Sequence, residues 1–376
     1  MKGPIIHLTL GKANPDRANG INVIVHGMAE ALQRLGLPVE VWGITPTPKD
    51  ETFERSYALR LFGRSSKRWS LTPELKTALV GLPDSAVVHL HGGLLPEFVQ
   101  VARLLRRRKL PWVLMPHGSY SKAALRRGWL RKRLFIALFD RIVIRGAARI
   151  QLGASNSANG LARMIRPPQA LVIPNGYDTT RGPHALLDAA PFRFSYCGRL
   201  ASYHKGLDLL ARGFVKASKG EPEMQLDLIG EGPDRAQIEG ILSAGGVSER
   251  VSLHGSLFAE EKRKVLTQSN CFVLTSRHEG FPMALLEAAA LGLPLLVSEG
   301  TNFANYVRKF DCGMVLPSLN AQAIAKALAA MASSSPERLR EMGTNSIRLI
   351  LKELHWDRIA ERMQRELYAP IVGEDS

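Results

Sequence analysis

The sequence predicts an α/β protein built from two doubly wound parallel sheets. Three observations predict it. Short apolar runs of strand length alternate with helix-length amphipathic patterns, as expected for parallel sheets with crossover helices. The alternation loses its regularity from Pro174-Asn175-Gly176 through Ala190, with Gly182-Pro183 as a breaker, and then restarts as a second series. At 376 residues the chain exceeds one ordinary core and suits two domains of roughly 150–200 residues.

In the first series the expected strands are Ile5–Leu10, Val39–Trp42, Ala86–Leu90, Trp112–Met115, Arg149–Leu152 and Leu171–Ile173. The expected helices include Ile21–Leu35, Pro96–Arg107 and Ala158–Ile165. Asp50–Ser70 is polar, rich in Ser and Arg and weakly periodic, and reads as a loop or mobile insertion. The second series runs strand Phe192–Cys197, helix Gly206–Ala217, strand Met224–Ile229, helix Pro233–Ala244, strand Val251–Leu253, helix Ala259–Gln268, strand Cys271–Leu274, helix Pro282–Leu291 and strand Pro294–Val297. Beyond Asn320 the chain reads as continuous helices to about Tyr368. Open sheets of this kind bind ligands at the carboxyl ends of their strands, so two such domains facing each other would place the chemistry in the cleft between them.

Composition narrows the class. Apolar residues make up 45% of the chain and charged residues 22%, which is ordinary for a globular protein and argues against disorder. Cys197, Cys271 and Cys312 are too scattered for a disulfide framework or a zinc pattern, which points to a reducing compartment. The opening MKGPIIHLTLGK reads as a buried strand and not a signal peptide. No apolar run approaches the ~20 residues that span a bilayer.

The net charge of +16 is unevenly placed. Residues 1–175 hold 27 Lys and Arg against 10 Asp and Glu, whereas the remainder holds 23 against 24. The excess belongs entirely to the first half, which suggests an anionic partner there: a membrane surface, a phosphorylated lipid or nucleic acid.

The motifs lie mainly in the second half. Cys197-Gly198-Arg199-Leu200-Ala201-Ser202-Tyr203-His204-Lys205-Gly206 follows a strand and opens a helix. Gly198 and Gly206 allow close backbone approach, Arg199 and Lys205 bring two cations to one loop, and a helix start adds free N–H groups and a positive dipole end. The ensemble suits a diphosphate; a solvated basic loop is the alternative. Neither GxGxxG nor a Walker A loop occurs. Ser276-Arg277-His278-Glu279-Gly280-Phe281-Pro282-Met283 then ends a strand and begins a helix, with Pro282 at its first position. Gly280 and Phe281 would turn backbone N–H groups toward a ligand. Glu287 sits in the otherwise apolar run ALLEAAALGLPLLV, where a carboxylate needs partners. Two sugar or ribose hydroxyls would satisfy it, as would a neighbouring backbone group or Arg.

E-G-F-P-x-x-x-x-E at Glu279–Glu287, the G-R-x5-K-G loop before it, and Gly230-Glu231-Gly232-Pro233 between them resemble the donor site of the GT4 family of retaining glycosyltransferases (glycosyl transferases group 1). The resemblance covers roughly residues 1–370 and is strongest over 192–303. It implies the GT-B fold: two Rossmann-like domains facing a cleft, with an acceptor-binding domain at 1–178, a nucleotide-sugar domain at 179–355, and a C-terminal helix at 356–376 crossing back to the first. It implies that Arg199 and Lys205 grip the donor diphosphate, that Glu287 holds ribose hydroxyls, and that Glu279 contacts the transferred sugar. Gly198, Gly230, Gly232 and the backbone of Gly280, Phe281, Pro282 and Met283 would line the nucleotide. No metal and no further cofactor is implied, and the sequence offers no Asp-x-Asp run.

In the first half, Met115-Pro116-His117-Gly118 resembles the family's His-Gly motif, which sets His117 near the donor sugar; a structural histidine is the alternative. The loop 11–20, where relatives carry a Gly-Gly pair near the donor phosphate, here reads Ala18-Asn19-Gly20, so only Gly20 matches. His89 and His91 flank Leu90 and share a face, half of a metal site without an evident third ligand.

There are two basic clusters, Arg103–Lys109 and Arg126–Arg133; the second is interrupted by Trp129 and Leu130 and followed by Leu134, Phe135 and Ile136. This composition fits anionic lipid headgroups, or a solvated arginine-rich face. The reading is a metal-independent hexosyltransferase moving sugar from a nucleoside diphosphate-sugar to a glycan or lipid-linked acceptor, in cell-surface polysaccharide, lipopolysaccharide or glycolipid synthesis. It would be cytoplasmic and peripheral on the inner face of the plasma membrane, with no nucleic-acid partner. The alternatives are a GT-B-like sugar-nucleotide epimerase and a catalytically silent sugar-nucleotide-binding protein tethered to membranes.

Overall fold

A computed structural model describes residues 3–16, 20–67, 69–121, 124–125, 128–154, 170–179, 191–220 and 223–372. The expected helix 158–165, most of the expected linker, and Ala18-Asn19 fall outside these residues.

The first sheet is parallel. Its strands are β1 (Ile5–Leu10), β2 (Val39–Thr45), β3 (Ala58–Gly63), β4 (Val87–His91), β5 (Trp112–Met115), β6 (Arg149–Leu152) and β7 (Ala170–Val172), in the spatial order β3-β2-β1-β4-β5-β6-β7. The inner strands read as unbroken apolar runs because helices cover both faces; all five residues of β4 are buried. Edge strand β3 corrects the reading of Asp50–Ser70 as a loop. Only its Phe62 is fully buried, and Arg60 lies over the rings of Trp42 and Phe62 at 4.8 and 5.4 Å. With few core-facing positions and an arginine in the middle, such a strand leaves little apolar periodicity to read.

The second sheet holds β8 (Phe192–Cys197), β9 (Met224–Ile229), β10 (Val251–Gly255), β11 (Cys271–Leu274), β12 (Leu295–Val297) and β13 (Gly313–Val315), in the order β10-β9-β8-β11-β12-β13. β13 has no counterpart among the expected strands. It is three residues long and opens on a glycine, which ordinarily weakens a strand reading. That glycine is needed here, because a Cβ on Gly313 would lie 1.9 Å from the Leu295 carbonyl oxygen.

The helical C-terminus is interrupted where capping chemistry interrupts it. The Asn320 side chain accepts from Ala323 N–H at 2.8 Å, and Ser335 accepts from Arg338 N–H with Pro336 behind it, both ordinary N-terminal caps. The chain divides into two compact units, Met1–Gly176 with Trp356–Ser376, and Tyr177–His355. Within the first unit, Trp356 packs where Gly27 and Gly176 leave room: a Cβ on either would come within 2.6 Å of its indole. Arg34 pairs with Asp357 at 2.6 Å.

Candidate functional site

In the second unit the strand order reverses between β8 and β11. In open sheets of this kind such a reversal is where ligands bind, in the crevice outside the carboxyl ends of the strands. The two principal sequence motifs are the loops at these two ends, 198–206 after β8 and 275–282 after β11. The third, Gly230–Pro233, leaves β9 next door.

Most of the motif glycines serve to bring the loops together. A Cβ on Gly230 would stand 2.0 Å from Gly198 O, one on Gly232 2.2 Å from Leu200 O, and one on Gly206 2.2 Å from Thr275 O. Three backbone segments therefore touch at distances no other residue permits. Leu200 N–H donates to Glu231 O at 2.9 Å, and Arg277 N–H to His204 O at 2.8 Å. Side chains complete the clamp. Arg277 forks onto both carboxylate oxygens of Asp208 at 2.9 and 3.0 Å and donates to Ser202 O at 2.6 Å. Burial works against the Asp208 carboxylate, but the guanidinium holds its pKa below the usual range. Asp234 accepts from Ser202 N–H at 2.6 Å.

Lys205 and Glu279, from the two loops, meet at 2.5 Å. Ser276 Oγ donates to the same Glu279 Oε1 at 2.6 Å, and among the described residues nothing engages Oε2. The carboxylate keeps acceptor capacity for a ligand hydroxyl, and the ammonium keeps two of its three protons for an anion. Arg199 is exposed, with no side-chain partner among the described residues. Asn302 fixes the backbone beneath Glu279, donating to Glu279 O and Gly280 O at 2.7 and 2.8 Å.

Glu287 lies on the helix Met283–Ala290 and pairs through Oε2 with Lys262 at 2.8 Å. Burial opposes the Lys262 ammonium, yet Glu287 outweighs it and the pKa is raised. Burial first, and then the charge of Glu287, pushes the Cys197 thiol up to about 11. Glu287, Lys262 and Cys197 are thus neighbours at the mouth of β8. Pro282 caps this helix and is not its first residue, which leaves the N–H groups of Met283 and Ala284 at the positive dipole end without intrahelical acceptors. Phe281 is buried against Phe303 and Tyr306, with ring centroids at 5.5 and 5.9 Å, so its side chain anchors the loop and only its backbone can serve a ligand.

In the first unit His117 follows β5 in a left-handed conformation, φ +47°, beside Gly118 at +80°. It joins a buried row of imidazoles. His117 Nε2 meets His91 Nδ1 at 3.0 Å, and His91 Nε2 meets His7 Nδ1 at 2.8 Å. His89 Nδ1 meets Tyr368 Oη at 2.8 Å. Burial lowers the His117 pKa to about 4 and that of His7 to about 3, and holds His89 and His91 well below the usual value. These rings are neutral at physiological pH. His7 is the third imidazole that the sequence did not reveal: β1 sets it opposite His89, and the three offer ligand atoms within 4.8 Å of one another. The three ring planes lie at 25–32° to one another, and His7 and His91 meet end to end through their ring nitrogens. Gly20 opens the helix Gly20–Arg34 with open space around it.

The residues that sequence reasoning missed are Lys262, Asn302, Asp234 and His7, each acting through a contact distant in sequence, and Ser276, quoted within its motif, was given no role.

The family described as glycosyl transferases group 1 matches residues 184–348, and a glycosyl transferase 4-like domain matches 19–176. The chain belongs to the group 1 glycosyltransferases, the GT4 family. A GDP-mannose:cellobiosyl-diphosphopolyprenol alpha-mannosyltransferase of Xanthomonas oryzae is 26% identical over 276 residues, 73% of this chain and 70% of the relative. The sucrose-phosphate synthase of Thermosynechococcus elongatus superposes with a TM-score of 0.74 at 21% identity, over 97% of this chain and 98% of that one. Anabaena HepE, solved with UDP and glucose, does so with a TM-score of 0.74 at 15% identity, over 97% and 99%. At these identities the structural likeness shows the fold, which is GT-B. The glycosyltransferase has, among its described residues, no helix long and apolar enough to cross a membrane.

Proposed function

We propose that this glycosyltransferase binds a nucleoside diphosphate-sugar on the crevice between β8 and β11 and transfers a hexose-type sugar from it with retention of configuration. The observation that carries the reading is that both charged motifs occupy the loops where the strand order reverses, joined through Lys205 and Glu279. Lys205 and Arg199 meet the diphosphate and offset the charge that grows on the leaving nucleoside diphosphate, the term expected to dominate catalysis. They stand in for a divalent ion, so transfer proceeds without a metal or other cofactor. Glu279 accepts from a hydroxyl of the transferred sugar through Oε2, and Glu287 from the ribose hydroxyls. Gly198, Gly230 and Gly232 keep the floor thin. The first-turn N–H groups after Pro282 face the phosphates.

The first unit receives the acceptor, and His117, a neutral imidazole, serves the reacting sugar. GDP-mannose and a polyprenol-diphosphate-linked glycan, named for the Xanthomonas relative, are the first donor and acceptor to test. UDP-glucose follows from the structural relatives. The acceptor would place the protein in cell-surface polysaccharide, lipopolysaccharide or glycolipid synthesis, in the cytoplasm, peripheral on the anionic inner face of the plasma membrane.

A thermal-shift screen against UDP, GDP, ADP and their sugars identifies the donor, and acceptor-dependent release of nucleoside diphosphate in the presence of a chelator tests the reaction. Stabilisation by one nucleotide family, lost in Lys205→Ala and Glu279→Ala, is expected. Unchanged turnover in both variants would overturn the site, and donor consumption indifferent to acceptor would favour the epimerase.

A further inference from the structure

The helical stretch 129–146 comprises helix Trp129–Phe135, a π turn Ile136–Asp140 and helix Arg141–Gly146. One face is core: Ile136, Val143 and Ile144 join the main apolar cluster of the unit. The other face leaves Trp129, Leu130, Leu134 and Leu138 between 54 and 64% exposed. Leu130, Leu134 and Leu138 recur every four residues and form one stripe. Trp69, also exposed, extends the stripe sideways, its ring 4.6 Å from Phe139 and 5.6 Å from Phe135. Single exposed leucines are ordinary, but a contiguous apolar stripe with a tryptophan at each margin marks an interaction surface.

The charge on the same stretch is one-sided. Its only acid, Asp140, is fully buried, accepting from Tyr120 Oη at 2.5 Å and from Leu94 N–H at 3.0 Å through Oδ2. Lys132 is tied to Ala124 O. Arg131, Arg133, Arg141 and Arg145 remain exposed, and among the described residues none of them pairs with a carboxylate. The Arg133 guanidinium lies 5.6 Å from the Trp129 ring centroid.

We propose that this stretch is an interfacial docking helix for an anionic lipid bilayer. It lies in the membrane plane with Trp129, Leu130, Leu134 and Leu138 at the boundary between headgroups and acyl chains, while the four arginines contact lipid phosphates. An amphipathic helix with an apolar stripe flanked by cations is what such a surface binds. A second copy of the chain is disfavoured because it would bring the same positive charge to the contact. A nucleic acid would use the arginines and leave the leucine stripe unexplained. The inference deepens the membrane reading above and does not depend on the donor chemistry.

The test uses the full chain with neutral phosphatidylcholine vesicles and with vesicles containing about 30% phosphatidylglycerol. The side chains changed point outward, so the variants keep their fold, which circular dichroism and the nucleotide thermal shift check. Sedimentation with anionic vesicles should exceed that with neutral ones by at least tenfold in affinity. Leu130→Glu/Leu134→Glu should lose at least tenfold, with nucleotide binding unchanged. Acyl chains carrying bromine should quench the wild type more than Trp129→Phe. Absence of vesicle binding, equal binding by the double variant, or a dimer that the double variant dissolves would each overturn the proposal. Failure of every nucleotide to bind, with vesicle binding as expected, would sink the donor reading and leave this one standing.

Discussion

Replacing Lys205 by methionine separates the two tasks assigned to it, holding the loops together and meeting the diphosphate. The ion pair with Glu279 spans 2.5 Å between side chains 22 and 12% exposed. Fully exposed pairs contribute about 0–1 kcal/mol, and breaking a fully buried one costs about 3–5 kcal/mol. This pair lies between those limits, is screened by solvent, and leaves Glu279 with its bond from Ser276. The expected loss of stability is therefore about 1–2 kcal/mol, or a fall in Tm of about 2–8 °C for a unit of this size. The loss of catalysis should be larger. Removing one preorganised group that faces developing charge costs about 100–1000-fold in kcat. The assay is release of nucleoside diphosphate at saturating donor, measured well below either Tm, with Glu279→Gln and the double variant alongside. If Lys205 acts on the phosphate directly, the double variant is slower than Glu279→Gln by most of the Lys205→Met factor. If it acts only by placing Glu279, the second substitution adds little. Turnover of Lys205→Met within threefold of the wild type, with Tm lowered as expected, would refute the phosphate role and leave a loop clamp.

Other outcomes follow from the same geometry. Gly232→Ala should destabilise the second unit by about 1–3 kcal/mol, since its Cβ would meet Leu200 O at 2.2 Å and backbone cannot yield as a side chain can. Gly280→Ala, with nothing within 4 Å, should stay within about 0.5 kcal/mol; thermal unfolding compares the two. Glu287→Gln should weaken the nucleotide about tenfold and abolish the preference of the wild type for ribose over 2′-deoxyribose in calorimetry. An undiminished preference would place the ribose elsewhere. The buried histidines should make the first unit acid-labile. Burial holds His117 at about 4 and His7 at about 3 in the folded protein, below the ordinary 6.5, so as the pH falls the unfolded chain takes up protons first. Their contribution is complete above about pH 7 and declines as the pH falls from about 6.5 to about 3. Calorimetry from pH 7.5 to 4.5 should show that decline, and it should be shallower in His91→Gln.

The sheets were legible in the sequence where most strand positions are apolar and buried. β1, β5, β8, β9 and β11 coincide residue for residue with the expected strands, because their apolar majority is buried under covering helices and outweighs the few polar positions such as His7, Ser195 and Asp227. β3 and β13 were not legible. One hides a half-exposed edge behind Arg60, and the other opens on a glycine that only the approach of Leu295 explains. The loops that carry chemistry were legible for a different reason. Glycines, cations and acids at a strand end are local in sequence, and the crevice at the point of reversal gathers those ends.

The sequence alone determined the fold class, the positions of the two charged loops and the basic excess of the first half, all of which follow from residue type and spacing along a short stretch. Only the tertiary structure decided which partners those groups have: Lys262 for Glu287, His7 beside His89 and His91, and Asp140 turned inward so that the exposed charge on 129–146 is all positive. The physical reason is that local periodicity fixes which face of an element is buried. Which side chain lies across from it depends on sheet order and register, and these bring together residues as far apart in sequence as His7 and His91.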